Sequence, residues 1–341
     1  MQKIKDIDLL RFPLALFVVM EHTLPQYMPD KSQYTLYLFF NAFLRGNSVP
    51  VFFFISGFLF FYNTIDFNTD IWRKKLYNRI HTLLIPYILW NIFAIIVVWI
   101  TLYAGMGQYM ANSKTFSPTI LSFLKCFWMY DGTLTGSITS SIYPINVALW
   151  YVRNLIILCL MANIIFAAIK KNIIFTFAFC IAIWGITLDS SLFFFTLGAF
   201  FSIKRKSITP CNRQYFLYSA CAYILSGIAI LLLPHNESTI YLIKQINTIS
   251  FIPLAFTVAN KVRERRITTL LSSASCLIYF AHQPICGKIN KLMIAFIYPK
   301  QQATEFTINI LAVATTVILL YSSYKIMNKY FPRALYILTG K

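Results

Sequence analysis

Charge is scarce in this sequence, and negative charge is the scarcest. Of the 341 residues, 12% are charged. That is roughly half the share in soluble domains, which excludes a soluble globular protein. Asp and Glu number 11 against 30 Lys and Arg. The basic residues fall in short clusters between apolar runs rather than on one basic face, as in the loops of membrane proteins. The lipid bilayer is therefore an expected partner, and nucleic acid is not.

Paired cysteines are also lacking. The seven cysteines are scattered, mostly inside apolar runs, and none has C-x-x-C spacing. Such cysteines serve as small hydrophobic residues, so neither a disulfide framework nor a metal site is expected. A cleavable signal peptide is not expected either, because Asp8 and Arg11 interrupt the first apolar segment and no small-x-small site follows. This segment is predicted to be a retained membrane helix.

What the sequence does have is long apolar stretches, and 58% of its residues are hydrophobic. Stretches long enough to cross a bilayer recur along the chain and predict about ten membrane helices. The predicted fold class is an all-α integral membrane protein. Residues 1–341 are expected to form a single domain with no fused extracytoplasmic domain. The predicted helices cover residues 8–26, 48–63, 82–104, 146–169, 172–186, 191–203, 215–233, 239–260, 268–290 and 304–326.

The distribution of basic residues predicts the orientation. If the N-terminus is cytoplasmic, the inner segments hold 20 Lys and Arg and the outer segments hold 8. Cytoplasmic loops of membrane proteins carry the excess of Lys and Arg. Both termini are therefore predicted to be cytoplasmic.

The first predicted helix carries two residues that membrane helices usually avoid. Arg11 and His22 are eleven positions apart, which is three turns plus about 20°, so they share one face at an axial distance of about 16 Å. Asp8, one turn before Arg11, is a plausible i,i+3 partner. Buried groups of this kind usually face a site or a watery cavity. The alternative is that both side chains reach the two membrane surfaces separately.

Other polar side chains have predicted depths in the outer half of the membrane, where His22 also lies. They come from different helices, and their convergence on one cavity is a hypothesis. Independent contacts with the membrane surface would give the same pattern. The residues are Arg45, Arg153, Asn154 and His282.

Five sequence blocks, in order, resemble those of the acyltransferase-3 family, which are bacterial integral-membrane enzymes that acylate surface sugars. One departure is that members often carry Arg-x-x-Arg before Pro-Tyr, whereas Thr82 follows Arg79 here, so Lys74 or Lys75 would have to substitute. The blocks are Arg11 with His22, VPVFFFISGF at 49–58, RIHTLLIPY at 79–87, LWYVRNL at 149–155 and IYFAHQP at 278–284.

The resemblance implies transfer of an acyl group, usually acetyl, from a cytoplasmic acyl-CoA to a hydroxyl of a surface or lipid-linked glycan. It also implies location in the bacterial plasma membrane. Acetyl-CoA would be the co-substrate, and the glycan or lipid-linked sugar the acceptor. The acceptor sugar, the acyl group and the oligomeric state are not specified by the sequence.

The residue chemistry fits that reaction. A sugar hydroxyl needs a base near neutral pH, and the imidazole of His22 can act as that base or carry the acyl group. Arg11 and Arg79 are the expected partners of the CoA phosphates, and Asp8 belongs to the same cofactor-binding site as the partner of Arg11. The oxyanion donors could be Arg153, Asn154 or His282. The expected acceptor-binding residues are Arg45 and Trp150. Ser56-Gly57 is interpreted as a close helix contact rather than a nucleophile.

Two other classes of function stay open from the sequence. A transporter or flippase of lipid-linked sugars would suit ten helices with buried cations, although no inverted repeat or paired broken helices is evident. A membrane sensor without catalysis would need a signalling domain, and none is evident in the sequence. Transfer of the acyl group from labelled acetyl-CoA separates these classes from an enzyme.

Overall fold

The structure is a computed structural model. It describes residues 5–23, 35–64, 66–103, 119–128, 143–187, 189–206, 208, 213–233, 237–262, 266–297 and 302–340. Within these ranges the chain is helical and contains no strand, which confirms the all-α class.

Sixteen α-helices occur in the described ranges, with a π-helical segment before α5 and a 3-10 turn before α7. The first eight are α1 (Lys5–Thr23), α2 (Thr35–Phe43), α3 (Ser48–Phe61), α4 (Thr69–Arg79), α5 (Ile85–Tyr103), α6 (Ile120–Trp128), α7 (Trp150–Leu160) and α8 (Ala162–Lys171). The others are α9 (Ile173–Thr187), α10 (Ser191–Ile203), α11 (Arg213–Leu232), α12 (Glu237–Lys261), α13 (Arg266–Ala281), α14 (Gln283–Ile297), α15 (Gln302–Tyr330) and α16 (Pro332–Thr339).

Several helices are long and apolar enough to cross a membrane, so the chain is a multi-pass membrane protein. Among the described residues 5 helical stretches meet that condition, or 6 if α7 and α8, bent by 61°, form one span. Three further apolar helices, α9, α10 and part of α13, are shorter. The predicted count of ten and the cytoplasmic termini stay predictions. The five stretches are Tyr37–Phe61, Thr69–Ile100, Arg213–Leu232, Thr239–Lys261 and Thr304–Tyr330.

The structure differs from the predicted helices at four places. The predicted helix 146–169 bends at Met161, and the predicted helix 268–290 is interrupted at His282. The basic segment between the predicted helices 48–63 and 82–104 contains helix α4, which continues through the π-helical segment Ile80–Leu84. Pro86 accounts for the π-helical segment, because it has no N–H to donate to the carbonyl of Thr82, four residues earlier. Helix α6 lies between the predicted helices 82–104 and 146–169, where no membrane helix is predicted, whereas 104–118 and 129–142 lie outside the described residues.

Helix α1 is the central element. It packs against α3, α12, α13, α14 and α15, so its polar residues face other helices rather than lipid. Its buried apolar residues recur every three or four positions, which is the spacing of one helix face. They are Ile7, Leu10, Leu14, Ala15, Val18 and Val19.

Helices α3 and α10 are in backbone contact. A Cβ added to Gly57 would lie 2.0 Å from the carbonyl oxygen of Phe195, and one added to Gly198 would lie 1.9 Å from that of Phe54. Only glycine fits at such distances, as in small-residue contacts between membrane helices. The interpretation of Ser56-Gly57 as a packing motif is therefore confirmed for Gly57.

Candidate active site

The two histidines predicted to take part in catalysis lie side by side. His22 is near the end of α1, and His282 occupies the break between α13 and α14. Their ring centroids are 5.2 Å apart, with an angle of 46° between the ring planes. His282 is fully buried, and His22 is half-buried. The fold therefore brings together two imidazoles from opposite parts of the chain.

Two features account for the break at His282: a proline in the sequence and a hydrogen bond from another part of the fold. Pro284 has no backbone N–H to donate to the carbonyl of Phe280, four residues earlier. The side chain of Asn146 donates from Nδ2 to that carbonyl instead, at 3.3 Å. The backbone N–H of Asn146 in turn donates to Oδ1 of Asn91, at 3.3 Å. The position of His282 thus depends on a proline and on a distant segment that precedes α7.

Hydrogen bonds fix the tautomer of His282. Its Nδ1 lies 2.7 Å from the carbonyl oxygen of Tyr279 and 3.2 Å from that of Ile278. A carbonyl oxygen only accepts, so Nδ1 carries the proton and Nε2 keeps a lone pair. Within the described part of the chain, the buried Nε2 has no hydrogen-bond partner. An unpartnered basic nitrogen beside a second imidazole is suited to accept a proton.

Arg11 and Arg79, the predicted donor-binding arginines, line one cavity with a volume of about 340 Å³. Arg11 forms an ion pair with Asp8, with 2.5 Å between Nη1 and Oδ1, which confirms the predicted i,i+3 pairing. The guanidinium of Arg79 lies 5.7 Å from the ring centroid of Phe60. This cavity, called here the central cavity, therefore has two permanently charged side chains at one end.

The central cavity runs from the arginines towards the histidines. Its walls extend from Leu59 to Phe52 on α3 and from Cys159 to Val152 on α7. Seven residues of helix cover about 10 Å. At the far end the wall includes Tyr279, whose ring centroid is 6.1 Å from that of His282. The cavity thus ends one aromatic ring short of the histidine pair.

A charged cluster lies beside His22. Arg45, predicted to bind the acceptor, donates from Nη1 to the Tyr37 hydroxyl at 2.9 Å and is close enough to interact electrostatically with His22. Oε1 of Glu21 accepts the backbone N–H of Gly46 at 2.8 Å. Gly46 has a φ of +78°, which glycine adopts at little cost. The turn between α2 and α3 is therefore bound to the end of α1, with Arg45 facing the site.

The other predicted site residues lie at the start of α7. Arg153 donates from Nη1 to the carbonyl of Trp128 at 2.7 Å, and its guanidinium lies 5.1 Å from the Trp128 ring centroid. Nδ2 of Asn154 donates to Asp189 at 2.6 Å. Trp150 packs against neighbouring aromatic rings. These contacts join α7 to the end of α6 and the start of α10. The proposed oxyanion role of Arg153 and Asn154 stays a prediction, as does acceptor binding by Trp150.

One neighbour of the site is missed by the sequence reasoning. Asn290, fully buried on α14, donates from Nδ2 to the carbonyl of Thr23 at 3.3 Å, directly after His22 in the chain. Its Oδ1 has no partner among the described residues. A polar residue inside a membrane helix usually marks a functional site, so the sequence contains a signal for Asn290. Its position beside α1, however, follows from the break at His282, which the sequence reasoning does not predict.

These features define a class: a multi-pass helical membrane protein with a cavity between its helices and a pair of neighbouring histidines close to that cavity. The acyltransferase-3 family, described as an acyltransferase domain, matches residues 4–325. The chain therefore belongs to this family and is an acyltransferase. No curated protein and no solved structure matches the chain.

Proposed function

We propose that this protein transfers an acyl group from a cytoplasmic acyl-CoA to a hydroxyl of a surface or lipid-linked glycan. The proposed acyl group is acetyl, and the proposed location is a bacterial plasma membrane, across which the transfer takes place. One observation carries the proposal. In a chain of the acyltransferase-3 family, the central cavity has Arg11 and Arg79 in its lining and reaches Tyr279, whose ring neighbours that of His282. The family supports acyl transfer, and this geometry supports a donor and an acceptor that meet at the histidines.

The donor is proposed to enter at the arginine end. CoA carries phosphates, and Arg is a planar, permanently charged partner for phosphate. The ion pair with Asp8 holds Arg11 in place, so less side-chain freedom is lost when a phosphate binds. The pantetheine arm then extends along the central cavity and carries the thioester towards the histidines. The predicted cytoplasmic location of the arginine end agrees with the compartment in which acyl-CoA is made.

The histidine pair is proposed to carry the chemistry. The acceptor oxygen attacks the thioester carbonyl, its proton passes to the imidazole of His22, the C–S bond breaks, and the CoA sulfur takes up a proton. Alternatively, His22 carries the acyl group between the two halves of the reaction. His282 is proposed to assist, because its Nε2 is a buried base without a hydrogen-bond partner in the described ranges. Either route uses an imidazole that is neutral before the attack.

The acceptor is proposed to reach the pair from the other side of the histidines. Polar groups there support a hydroxyl-rich ligand. Arg45 offers further guanidinium N–H groups beyond its bond to Tyr37, and Oδ1 of Asn290 has no partner in the described ranges. Buried polar atoms of this kind are usually satisfied by water or by a ligand.

Purified protein in proteoliposomes tests the proposal. The measurement is the appearance of acetyl from labelled acetyl-CoA in the glycan and glycolipid fraction of the host membranes. The proposal expects time-dependent labelling that protein-free liposomes lack. It also expects the glycan mass to rise by one acetyl unit per modified repeat. A transporter or flippase would move glycolipid without labelling it, and that result would contradict the proposal.

A further inference from the structure

Three aromatic rings from three helices line the histidine end of the central cavity. Phe52 comes from α3, Tyr151 from α7 and Tyr279 from α13. The ring centroids are 5.9 Å apart for Phe52 and Tyr151, 6.1 Å for Phe52 and Tyr279, and 5.6 Å for Tyr151 and Tyr279. Each ring therefore touches the other two. These three residues are called here the aromatic end wall.

Hydrogen bonds hold the two tyrosines of the end wall. The Tyr151 hydroxyl is 2.8 Å from Oγ of Ser56 and 3.3 Å from the carbonyl oxygen of Phe52. The Tyr279 hydroxyl donates to the carbonyl of Ala148 at 2.5 Å. With ring and hydroxyl both engaged, neither tyrosine rotates freely. The end wall is thus an aromatic surface held in place by hydrogen bonds, and its Tyr279 ring centroid lies 6.1 Å from that of His282.

We propose that the aromatic end wall is the acyl pocket of the donor site and restricts the enzyme to short acyl chains. The inference rests on the proposed use of acyl-CoA. A thioester whose carbonyl lies at the histidines has its acyl group beside Tyr279, the ring next to His282, so the end wall is the surface against which this group packs. The wall presents ring carbons and no charge, which suits a hydrocarbon chain and not a phosphate.

The size of the cavity supports a short chain. A volume of about 340 Å³ lies at the low end of small-molecule pockets. A pantetheine arm and an acyl chain would have to share this volume, so a long acyl chain has little space. Close-packed walls accept an additional methylene poorly, because the surrounding side chains have to leave their preferred rotamers. One methylene more or less in such a pocket changes selectivity by about 10–200-fold.

The test is the acyl-chain profile of wild type and of Phe52→Ala, measured as kcat/KM with acetyl-, propionyl-, butyryl- and hexanoyl-CoA. Phe52 is chosen because its ring carries no hydroxyl, so its removal adds space without removing a side-chain hydrogen bond. We expect wild type to prefer acetyl-CoA, and Phe52→Ala to raise the butyryl-to-acetyl ratio at least about tenfold. Phe52→Trp, which narrows the pocket, should lower the propionyl-to-acetyl ratio.

Phe54→Ala is the matched control. Phe54 is on the same helix and is buried, but it packs against Phe201 and Phe256 rather than lining the central cavity. Its removal should leave the ratio unchanged, whatever it does to stability. If Phe52→Ala does not fold, Phe52→Leu gives the same comparison with a smaller change in volume.

The outcomes separate this inference from the proposed function. If wild type transfers acetyl but Phe52→Ala and Phe52→Leu keep the wild-type ratio, or if wild type uses acetyl- and hexanoyl-CoA equally, the end wall does not set chain length and the inference is wrong. In both cases the proposed acyl transfer stands. If wild type uses no acyl-CoA at all, the proposed function fails and the inference fails with it.

Discussion

His282 differs from an ordinary buried histidine in the state of its two ring nitrogens. Nδ1 is bonded to backbone carbonyls, and Nε2 is unpartnered among the described residues and close to His22. We expect His282→Ala to lower the rate of transfer by less than the loss of a general base, which is about 10²–10⁴. The measurement is the transfer rate alongside acyl-CoA affinity. A loss as large as that of His22→Ala would make His282 an equal partner and contradict its assisting role.

At the arginine end, Arg11→Ala and Arg79→Ala should each weaken acyl-CoA binding. Removing a charged hydrogen bond to phosphate costs about 1.5–3 kcal/mol, which is about a ten- to hundredfold rise in Kd. Arg11→Lys should rescue binding in part, because an ammonium group cannot reproduce the guanidinium fork. Calorimetric titration measures these values.

The control for this prediction is Arg73→Ala, since Arg73 is exposed on α4 outside the central cavity. It should bind acyl-CoA as wild type does. Unchanged affinity in both Arg11→Ala and Arg79→Ala would mean that these arginines serve the topology of the chain rather than the donor.

For α1, the sequence predicts the relative positions of the site residues. The spacing of Asp8, Arg11 and His22 places them on a helix face, and helix geometry alone relates them. The sequence predicts only that His22 and His282 lie at the same depth in the membrane. It does not predict that they are neighbours, because the position of His282 depends on Pro284 and on Asn146 from a distant segment. Asn290 could not be placed at all for the same reason.

Among the elements, α16 closes part of the central cavity. Leu338 accepts a hydrogen bond from Nε1 of Trp90 at 2.9 Å, and Thr339 and Gly340 line the cavity beside Thr82. Gly340 has a φ of +69°, and a Cβ there would lie 2.5 Å from the Thr82 carbonyl oxygen. Only glycine combines this conformation with so close an approach. The end of α16 is therefore part of the wall at the arginine end.

Gly340→Val should disturb that wall. A β-branched residue at positive φ costs about 1–3 kcal/mol, and the overlap with Thr82 adds to this. We expect a lower thermal midpoint and weaker acyl-CoA binding. Ile337→Ala, at an exposed position of α16, is the control and should change neither. If Gly340→Val keeps wild-type stability and affinity, α16 does not shape the cavity.

Among the features of the helices, the breaks within them are the hardest to predict from the sequence. Hydropathy indicates where apolar helices exist, and the helices near 191–203 and 215–233 agree with α10 and α11. The interruptions at Met161 and His282 leave the apolar pattern unchanged, so hydropathy does not detect them. Pro284 was a local signal of the second, but prolines are also tolerated inside membrane helices when another group satisfies the freed carbonyl.

For the whole molecule, the orientation rests on the 20-to-8 distribution of basic residues. Reporter fusions after Lys171, Lys206 and Arg266 should therefore be cytoplasmic, and fusions within 105–145 or near Asn236 should be external. This would place the arginine end of the central cavity on the cytoplasmic side. An external reporter signal at Arg266 would overturn the orientation and the proposed side of donor entry.

His22 lies where the helix face that carries Arg11, the histidine pair and the charged cluster around Arg45 meet, and the proposed mechanism depends on it. The most direct test measures acetyl transfer to glycan and acetyl-CoA affinity in the same proteoliposomes, for wild type and His22→Ala. We expect transfer to fall by at least about 10²–10⁴, with expression and affinity close to wild type. Transfer by His22→Ala at nearly the wild-type rate would contradict the proposed mechanism.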